Sequence, residues 1–584
     1  MNHAMTSRPA ALKGRLSSVP LLNKLDEAAL AALESRLEWL SVPGGATLFR
    51  EGELADALYV VIAGCLAVTV RGSDDQDVLV ARSRVGDTVG EMGLLGDELR
   101  SASVTALRDS ELLRLKKSAF EWLIERHPRS MLSIASQLAQ RLKKTTHRPG
   151  EEEAVRALAL VPADPDADHH RIARDLADQL AIDGQRIVLL TAESAAHTAE
   201  WFSALEAASD KVLYCGEPGD SAWSKLCVRQ ADRVILMASS QSPAVLPAWL
   251  EGRGKGWRQR LDLVLLHDGT GHAGQAVQQW RNLLALDLVS HVRRGNTGDV
   301  ARLARLLNGK AVGLVLGGGG ARGFAHLGIL RALHEAQMPT DLIGGCSIGA
   351  IVGAGVAFEW DHLEIRERLR RAFVESNPIN DYTLPFLALV KGHKVARRLE
   401  EHFGSICIEE LWRPYYCVST NLAAGTLAVH RQGRLVDALR ASLSIPGLLP
   451  PVVINGEAHV DGGMMNCLPV DVMTPRCGLV IGVDVANDPL RQPLPEIGEG
   501  PSFWQCLRHG KIPPIVDILA RAATINSDVL ARAVRAQAGI LFQPPLETVN
   551  LLDWQACDRA IDIGYRHAID KLEQMDKAAL FAPR

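Results

Sequence analysis

The sequence lacks a dominant charge, a long apolar run, and any Cys/His cluster at zinc spacing. Each absence removes a class of function. Its 64 Lys+Arg against 68 Asp+Glu leave a formal net charge of −4, which gives no chain-wide field for nucleic acid or anionic lipid. No nucleic-acid partner is expected. The uncharged stretch Leu342–Phe358 is 17 residues long and rich in glycine, short of the ~20 apolar residues of a spanning helix. Met1 to Arg15 has no apolar centre of the signal-peptide kind. The ten cysteines form no Cys-x-x-Cys pair and no Cys/His cluster at zinc spacing. They read as reduced thiols of a cytoplasmic protein, with no metal expected. Aromatic residues are only 5% of the chain, but 47% hydrophobic and 23% charged residues are ordinary globular values. At 584 residues, several domains are needed to bury that apolar content.

Texture divides the chain into three. From Val42 to Leu115 short apolar stretches are punctuated by glycine: Ala57–Ile62 is closed by Gly64, and Leu66–Val70 by Gly72. This spacing predicts an antiparallel β-roll, followed by a helix over Phe120–Leu142. His147-Arg148-Pro149-Gly150 and the glutamates after it read as a linker. From Ala154 to about Leu307, the runs Ala157–Val161, Arg186–Leu190, Arg233–Met237 and Leu261–Leu266 look like buried parallel strands separated by helices. That region shows no phosphate-binding glycine loop, and a scaffold role is favoured. From Ala311 onward the chain carries the chemistry. The expected architecture is multidomain α/β: a roll over residues 13–147, a Rossmann-like domain over 152–307, and a three-layer α/β/α domain over 311–584, with motifs within 311–484.

Gly345-Cys346-Ser347-Ile348-Gly349 fits G-x-S-x-G between a short apolar run and a helix-like segment. A strand turning sharply into a helix projects the central side chain outward. Gly345 and Gly349 would permit the tight backbone, and the helix N-terminus favours negative charge on Ser347 Oγ. About thirty residues upstream, Gly317-Gly318-Gly319-Gly320-Ala321-Arg322-Gly323 follows a strand and opens a helix. Consecutive glycines let backbone N–H groups converge on an oxyanion or a phosphate. Gly318-x-Gly320-x-x-Gly323 also satisfies a dinucleotide fingerprint, but that needs an acidic residue at the end of the next strand. Asp341 lies at the wrong end of it. No Gly-Lys-Ser/Thr follows, which removes a P-loop. Asp461-Gly462-Gly463, on its own, is a turn.

The glycine-rich loop with its arginine, the serine elbow and Asp-Gly-Gly, in that order, closely resemble the patatin-like phospholipase family. The resemblance covers Val312 to about Asp484. It implies a serine hydrolase of lipid acyl esters, acting through a Ser–Asp dyad that needs no cofactor. Ser347 would be the nucleophile and Asp461 the general base. Gly318, Gly319 and Gly320, with Arg322 beside them, would form the oxyanion loop. A carboxylate near pKa ~4 is a weak base towards serine, so burial would have to raise it. The competing arrangement is a Ser–Asp–His triad, for which His509 and His567 stand in suitable order. Neither has a motif around it, and both are expected to be structural. The segment Leu384–Val390, followed by Lys391, Lys394, Arg397 and Arg398, reads either as a membrane-dipping edge or as a core helix with a solvated basic end. The core helix is the expectation.

The stretch Gly90–Val104 resembles the phosphate-binding cassette of cyclic-nucleotide-binding domains, with Glu91 and Arg100 nine positions apart. Arg100 could pair with a cyclic phosphate, Gly90 and its turn could offer N–H groups, Glu91 could accept from a ribose hydroxyl, and Ser101 could add a hydroxyl. Asp97 and Glu98 place negative charge beside that position. A ligand-binding role (cAMP or cGMP as regulator) and a pure scaffold role both remain open. The order of roll, α/β region and patatin-like region resembles the neuropathy target esterase family of lysophospholipases. That implies a lysophospholipid or phospholipid substrate and peripheral membrane contact. The alternative from another class is a nucleotide-responsive regulator whose hydrolase region only binds lipid; a transcription factor would need a helix-turn-helix after the roll.

Overall fold

The computed structural model describes residues 33–72, 77–91, 99–126, 155–165, 168–247, 249–250, 260–269, 271, 276–376, 380–384, 386–486 and 532–575. They fall into two units, one of residues 1–266 and 279–288, the other of residues 267–278 and 289–584.

The first unit begins with the roll. Its strands are β1 (Leu37–Val42), β2 (Thr47–Phe49), β3 (Ala57–Ala63), β4 (Leu66–Arg71), β5 (Asp77–Ser83), β6 (Thr88–Val89), β7 (Ser103–Ala106) and β8 (Ser110–Lys116). They form two antiparallel sheets, β1-β8-β3-β6 and β2-β7-β4-β5. Between them pack Phe49, Tyr59, Val61, Leu66, Val104 and Leu112. β3 is buried at every position rather than alternately, because its other face is also covered. There Ser203 Oγ, on the helix Ala199–Ala207, accepts from the Gly64 N–H at 3.1 Å. Arg108 beside it makes a buried ion pair with Glu206 at 2.6 Å, and Tyr214 donates to the same carboxylate at 2.9 Å. The expected helix is described from Lys117 to Arg126; its continuation to Leu142 lies outside the described residues.

The α/β region follows with β9 (Ala157–Pro162), β10 (Ile187–Leu190), β11 (Lys211–Cys215), β12 (Arg233–Ser239) and β13 (Arg260–His267). They run parallel in the order β10-β11-β9-β12-β13. Four of these are the expected strands, and β11 is additional. Asp232 Oδ2 accepts from the N–H groups of Arg156 and Ala157 at 3.1 Å each, fixing where β9 begins.

In the second unit, β14 (Leu288–Arg293) precedes a sheet of β15 (Val312–Leu316), β16 (Leu342–Cys346), β17 (Tyr415–Asn421), β18 (Thr426–His430), β19 (Val452–Ile454), β20 (Glu457–Asp461), β21 (Leu479–Val483) and β22 (Ile540–Phe542). The order is β19-β20-β17-β16-β15-β21-β22, with β18 against β17. Alternate residues separate into two apolar layers, as a period of two requires. Val312, Leu314 and Leu316 join one layer with the helices Ala325–Glu335, Ile348–Ala357, Leu435–Leu443 and Cys557–Glu573. Val315, Leu342 and Cys346 join the other with Leu468, Val470 and Met473. Two of those helices meet backbone to backbone: a Cβ on Gly328 would lie 2.0 Å from Ile561 O, and one on Gly564 2.2 Å from Ala325 O. Asp341 is occupied by Arg305 at 2.7 and 2.9 Å and by the Val312 N–H at 2.9 Å, which leaves it no place in a ribose site.

The segment expected to be a core helix is not one. Tyr382 and Val390 pair in an isolated bridge, and between them Leu384 is 72%, Phe386 88% and Leu387 80% exposed. Its backbone N–H groups are used elsewhere: Leu389 and Val390 donate to the carbonyls of Gly447 and Leu448 at 2.9 and 3.1 Å. Such long-range pairing overrides the local apolar pattern. The helix begins only at His393.

Candidate active site

β16 ends at Cys346, the helix Ile348–Ala357 begins two residues later, and Ser347 between them makes the bend with φ 53 and ψ −125. A non-glycine residue in that region carries backbone strain. Two contacts impose the bend. A Cβ on Gly345 would lie 2.5 Å from Gly349 O, and one on Gly349 2.2 Å from Leu316 O. The chain can cross itself this closely only with glycine at both positions. Ser442, on the helix Leu435–Leu443, fixes the bend from outside by accepting the Ser347 N–H at 2.9 Å.

Asp461 closes β20 beside β17, where it pairs in register with Ser419. Its N–H donates to Ser444 O at 2.9 Å, and its carbonyl accepts from Thr420 Oγ1 at 3.0 Å. One helix end therefore holds both expected residues: Ser442 takes the amide of Ser347, and Ser444 that of Asp461. The Asp461 carboxylate accepts from the Gly463 N–H at 2.7 Å and from the Cys346 thiol at 3.8 Å. Burial pushes it up to about 6. The Gly463 N–H, then the Ser347 hydroxyl, then Cys346 pull it back.

The glycine loop joins β15 to the turn Gly320–Phe324. A Cβ on Gly318 would lie 3.3 Å from Ser347 Cβ, so this backbone lies directly against the serine. The Gly318 N–H already donates to Cys467 O at 3.1 Å. Gly318 thus provides close approach rather than a donor. Among the described residues, the N–H groups of Gly319 and Gly320 have no partner shown. Gly320, at φ +56, sits where a Cβ would meet Leu551 O at 2.2 Å. Arg322 donates its Nε to Val549 O at 2.8 Å.

Sequence reasoning missed two residues here. Ser442 is one. The other is His326, fully buried, whose Nε2 bonds Gly317 O at 2.9 Å. Burial holds its ring down to about 4, so the imidazole is neutral and steadies the loop as a donor. Of the two histidines weighed for a triad, His567 accepts the Gln543 N–H on Nε2 at 3.1 Å and rests on Phe542. His509 lies outside the described residues.

In the roll, Gly90 and Arg100 meet and Glu91 beside Gly90 is buried, while residues 92–98 lie outside the described set. Arg100 is buried, and its side chain is turned inward. Nη1 donates to Gly90 O at 3.0 Å; Nη2 donates to Ala57 O at 2.8 Å and Asp56 Oδ1 at 3.0 Å. The guanidinium stacks 4.0 Å over Phe49. Ser101 is exposed.

Known families match three stretches. Residues 314–474 match the patatin-like phospholipases, and residues 39–127 the cyclic nucleotide-binding domain. Residues 154–292 match a neuropathy target esterase family P-loop like domain. That last match assigns a region composition left as a scaffold, although Ala163–Asp168 between β9 and the next helix holds neither glycine nor lysine. The chain is 27% identical to lysophospholipase NTE1 of Candida albicans over 94% of its own length and 47% of that protein's. It is 28% identical to rat patatin-like phospholipase domain-containing protein 7 over 92% and 45%. It spans about half the length of these relatives. An uncharacterized NTE family protein of Mycobacterium tuberculosis is 30% identical over 94% of both chains. With three matches in one order and a relative aligned end to end, the chain belongs to the neuropathy target esterase (NTE) family.

Proposed function

We propose that this protein is a serine esterase that hydrolyses acyl esters of lysophospholipids or phospholipids through a Ser347–Asp461 dyad. One observation carries the reading. The buried Asp461 carboxylate accepts from the Gly463 N–H at 2.7 Å and the Cys346 thiol at 3.8 Å, with the Ser347 hydroxyl also acting on it, and no histidine among the described residues bonds it. A base raised to about 6 takes a serine proton near neutral pH far better than an ordinary carboxylate. Asp461 accepts the Ser347 proton as Oγ attacks the ester carbonyl. The oxyanion forms against the Gly319 and Gly320 N–H groups at the helix start. Protonated Asp461 then returns its proton to the leaving alkoxide. Water, deprotonated by the same carboxylate, releases the fatty acid from Ser347 and restores the hydroxyl. The chain's likeness to fungal lysophospholipases supports a lysophospholipid substrate. Ser347→Ala and Asp461→Asn are expected to abolish ester hydrolysis while His509→Ala and His567→Ala retain it; an inactive, folded His567→Ala protein would reinstate the triad.

Access to lipid is assigned to the segment between Tyr382 and Val390. Exposed Leu384, Phe386 and Leu387 would enter the acyl boundary, with Lys391, Lys394, Arg397 and Arg398 at the headgroups. The segment is bonded to Gly447 and Leu448, a few residues from Ser444, which brings the lipid surface near the dyad. No helix among the described residues is long and apolar enough to cross a membrane, and none of the nine described cysteines is in a disulfide. Both fit a cytoplasmic protein that visits a membrane. Regulation by cAMP or cGMP rests on the roll. There Arg100 must exchange Gly90, Ala57 and Asp56 for a phosphate, and calorimetric titration that releases no heat removes this reading.

A further inference from the structure

The first unit carries a cluster of metal-binding side chains in a region with no assigned chemistry. Asp168 sits in the left-handed region (φ 40) just before the helix His169–Ala181. The first two residues of that helix, His169 and His170, hold their rings 4.2 Å apart, centroid to centroid. Cys215 ends β11 next to them, and Glu217 follows two residues later. Strand ends and helix starts of this kind form the carboxyl edge of a parallel sheet, where α/β domains bind ligands.

One pair already stands at the spacing of a shared cation, and the third ligand atom is within reach of it. Cys215 Sγ lies 3.5 Å from His170 Nδ1. One ligand atom from each of His169, His170 and Cys215 lies within 4.8 Å of the others. Two atoms bound tetrahedrally to one ion at roughly 2.0–2.3 Å stand roughly 3.3–3.8 Å apart. The other face of His170 is also provided for, since its Nε2 lies 3.4 Å from Glu217 Oε1. A metal-bound histidine commonly donates its second ring N–H to a carboxylate in this way. A second observation points to a ligand independently. His169 is only 7% exposed, and its Nε2 has no hydrogen-bond partner among the described residues. Glu217 Oε2 is 3.7 Å away, too far for a hydrogen bond. A buried imidazole nitrogen left in that state is costly unless something accepts its lone pair.

We propose that His169, His170 and Cys215 form a zinc site, with Glu217 either completing the tetrahedron or holding the His170 ring. Two imidazole nitrogens and a thiolate suit a borderline-soft divalent ion and not magnesium or calcium, which take oxygen ligands. Binding breaks the S–H bond, releases that proton to solvent and forms a zinc–sulfur bond, with no redox change. The site fastens the end of β11 to the helix beginning at His169, and its role is structural. Cys215 lies 45 positions after His170, which is why sequence spacing shows no zinc motif.

The test uses the full chain, stripped with a chelator and then titrated with Zn2+ against a chromogenic competitor, and separately with Co2+. About one equivalent of zinc is expected to bind tightly. The cobalt form should show intense tetrahedral d–d bands and a sulfur-to-cobalt charge-transfer band. Cys215→Ser should remove the charge-transfer band, and Glu217→Gln should weaken zinc roughly tenfold or more while leaving the fold intact. The proposal is overturned if the wild-type protein takes up no zinc, if its cobalt spectrum is octahedral without charge transfer, or if Cys215→Ser binds as tightly as wild type. Should Cys215→Ser fail to fold, the wild-type cobalt spectrum still decides. None of these measurements depends on ester hydrolysis.

Discussion

Replacing Asp461 with Asn should abolish turnover and make the folded protein more stable, a combination that ordinary damage to a fold does not produce. Burial moves this carboxyl from 3.8 to about 6, worth about 3 kcal/mol. The sign follows from proton binding. Between about pH 4 and pH 6 the folded protein holds this proton more firmly than the unfolded chain, so stability falls as pH rises through that window. Above about 6 the buried anion costs the fold up to about 3 kcal/mol relative to a neutral group of the same shape. Asn keeps the oxygen that accepts from Gly463 and removes the charge. Its thermal transition should lie a few degrees above that of wild type at pH 8 and merge with it near pH 4. The same titration governs catalysis. Hydrolysis of a soluble short-chain ester should be flat above about pH 6 and fall about tenfold per unit below it. A rate midpoint near 4, or an Asn variant no more stable than wild type at pH 8, would refute the desolvated-base argument.

Other outcomes follow from neighbouring contacts. Ser442→Ala removes the acceptor of the Ser347 N–H; it should cost about 1–3 kcal/mol in stability and lower kcat more than KM, measured on a soluble ester. Gly349→Ala forces a methyl to within 2.2 Å of Leu316 O, so the catalytic unit should lose its cooperative thermal transition along with its activity. Replacing Leu384, Phe386 and Leu387 together by Asp should abolish co-sedimentation with anionic vesicles while hydrolysis of a monomeric soluble ester persists. Equal sedimentation of variant and wild type would remove this segment from lipid docking. Arg100→Glu should lower the thermal transition of the roll whether or not nucleotide is present, because it strips Gly90, Ala57 and Asp56 of their partner.

What could be read in advance was what the local backbone dictates. The bend at Ser347 was legible because glycines at 345 and 349 are needed wherever a strand turns so sharply into a helix, and the contacts of both show why. The need to raise Asp461 was legible as chemistry, and burial supplies it. Residues that act across long separations were not legible. Ser442 and His326 carry no motif of their own, and their value lies in one hydrogen bond each, to an amide and a carbonyl set by the fold. Gly318 looked like a donor because it is a glycine in a row of glycines; only the structure reveals that Cys467 O takes its N–H. The run at Leu384 looked like core because hydrophobicity alone does not say which backbone groups are already paired. β11 escaped because it starts with Lys211, whose buried stem sends its amine to Val155 O.

The most direct test is labelling with a fluorophosphonate, which reacts only with an activated serine hydroxyl, followed by mass spectrometry of the modified peptide. The account predicts stoichiometric modification at Ser347 in the wild-type and His567→Ala proteins, and none in Ser347→Ala or in a folded Asp461→Asn. Labelling that persists in Ser347→Ala, or a wild-type protein that stays unmodified, would contradict it.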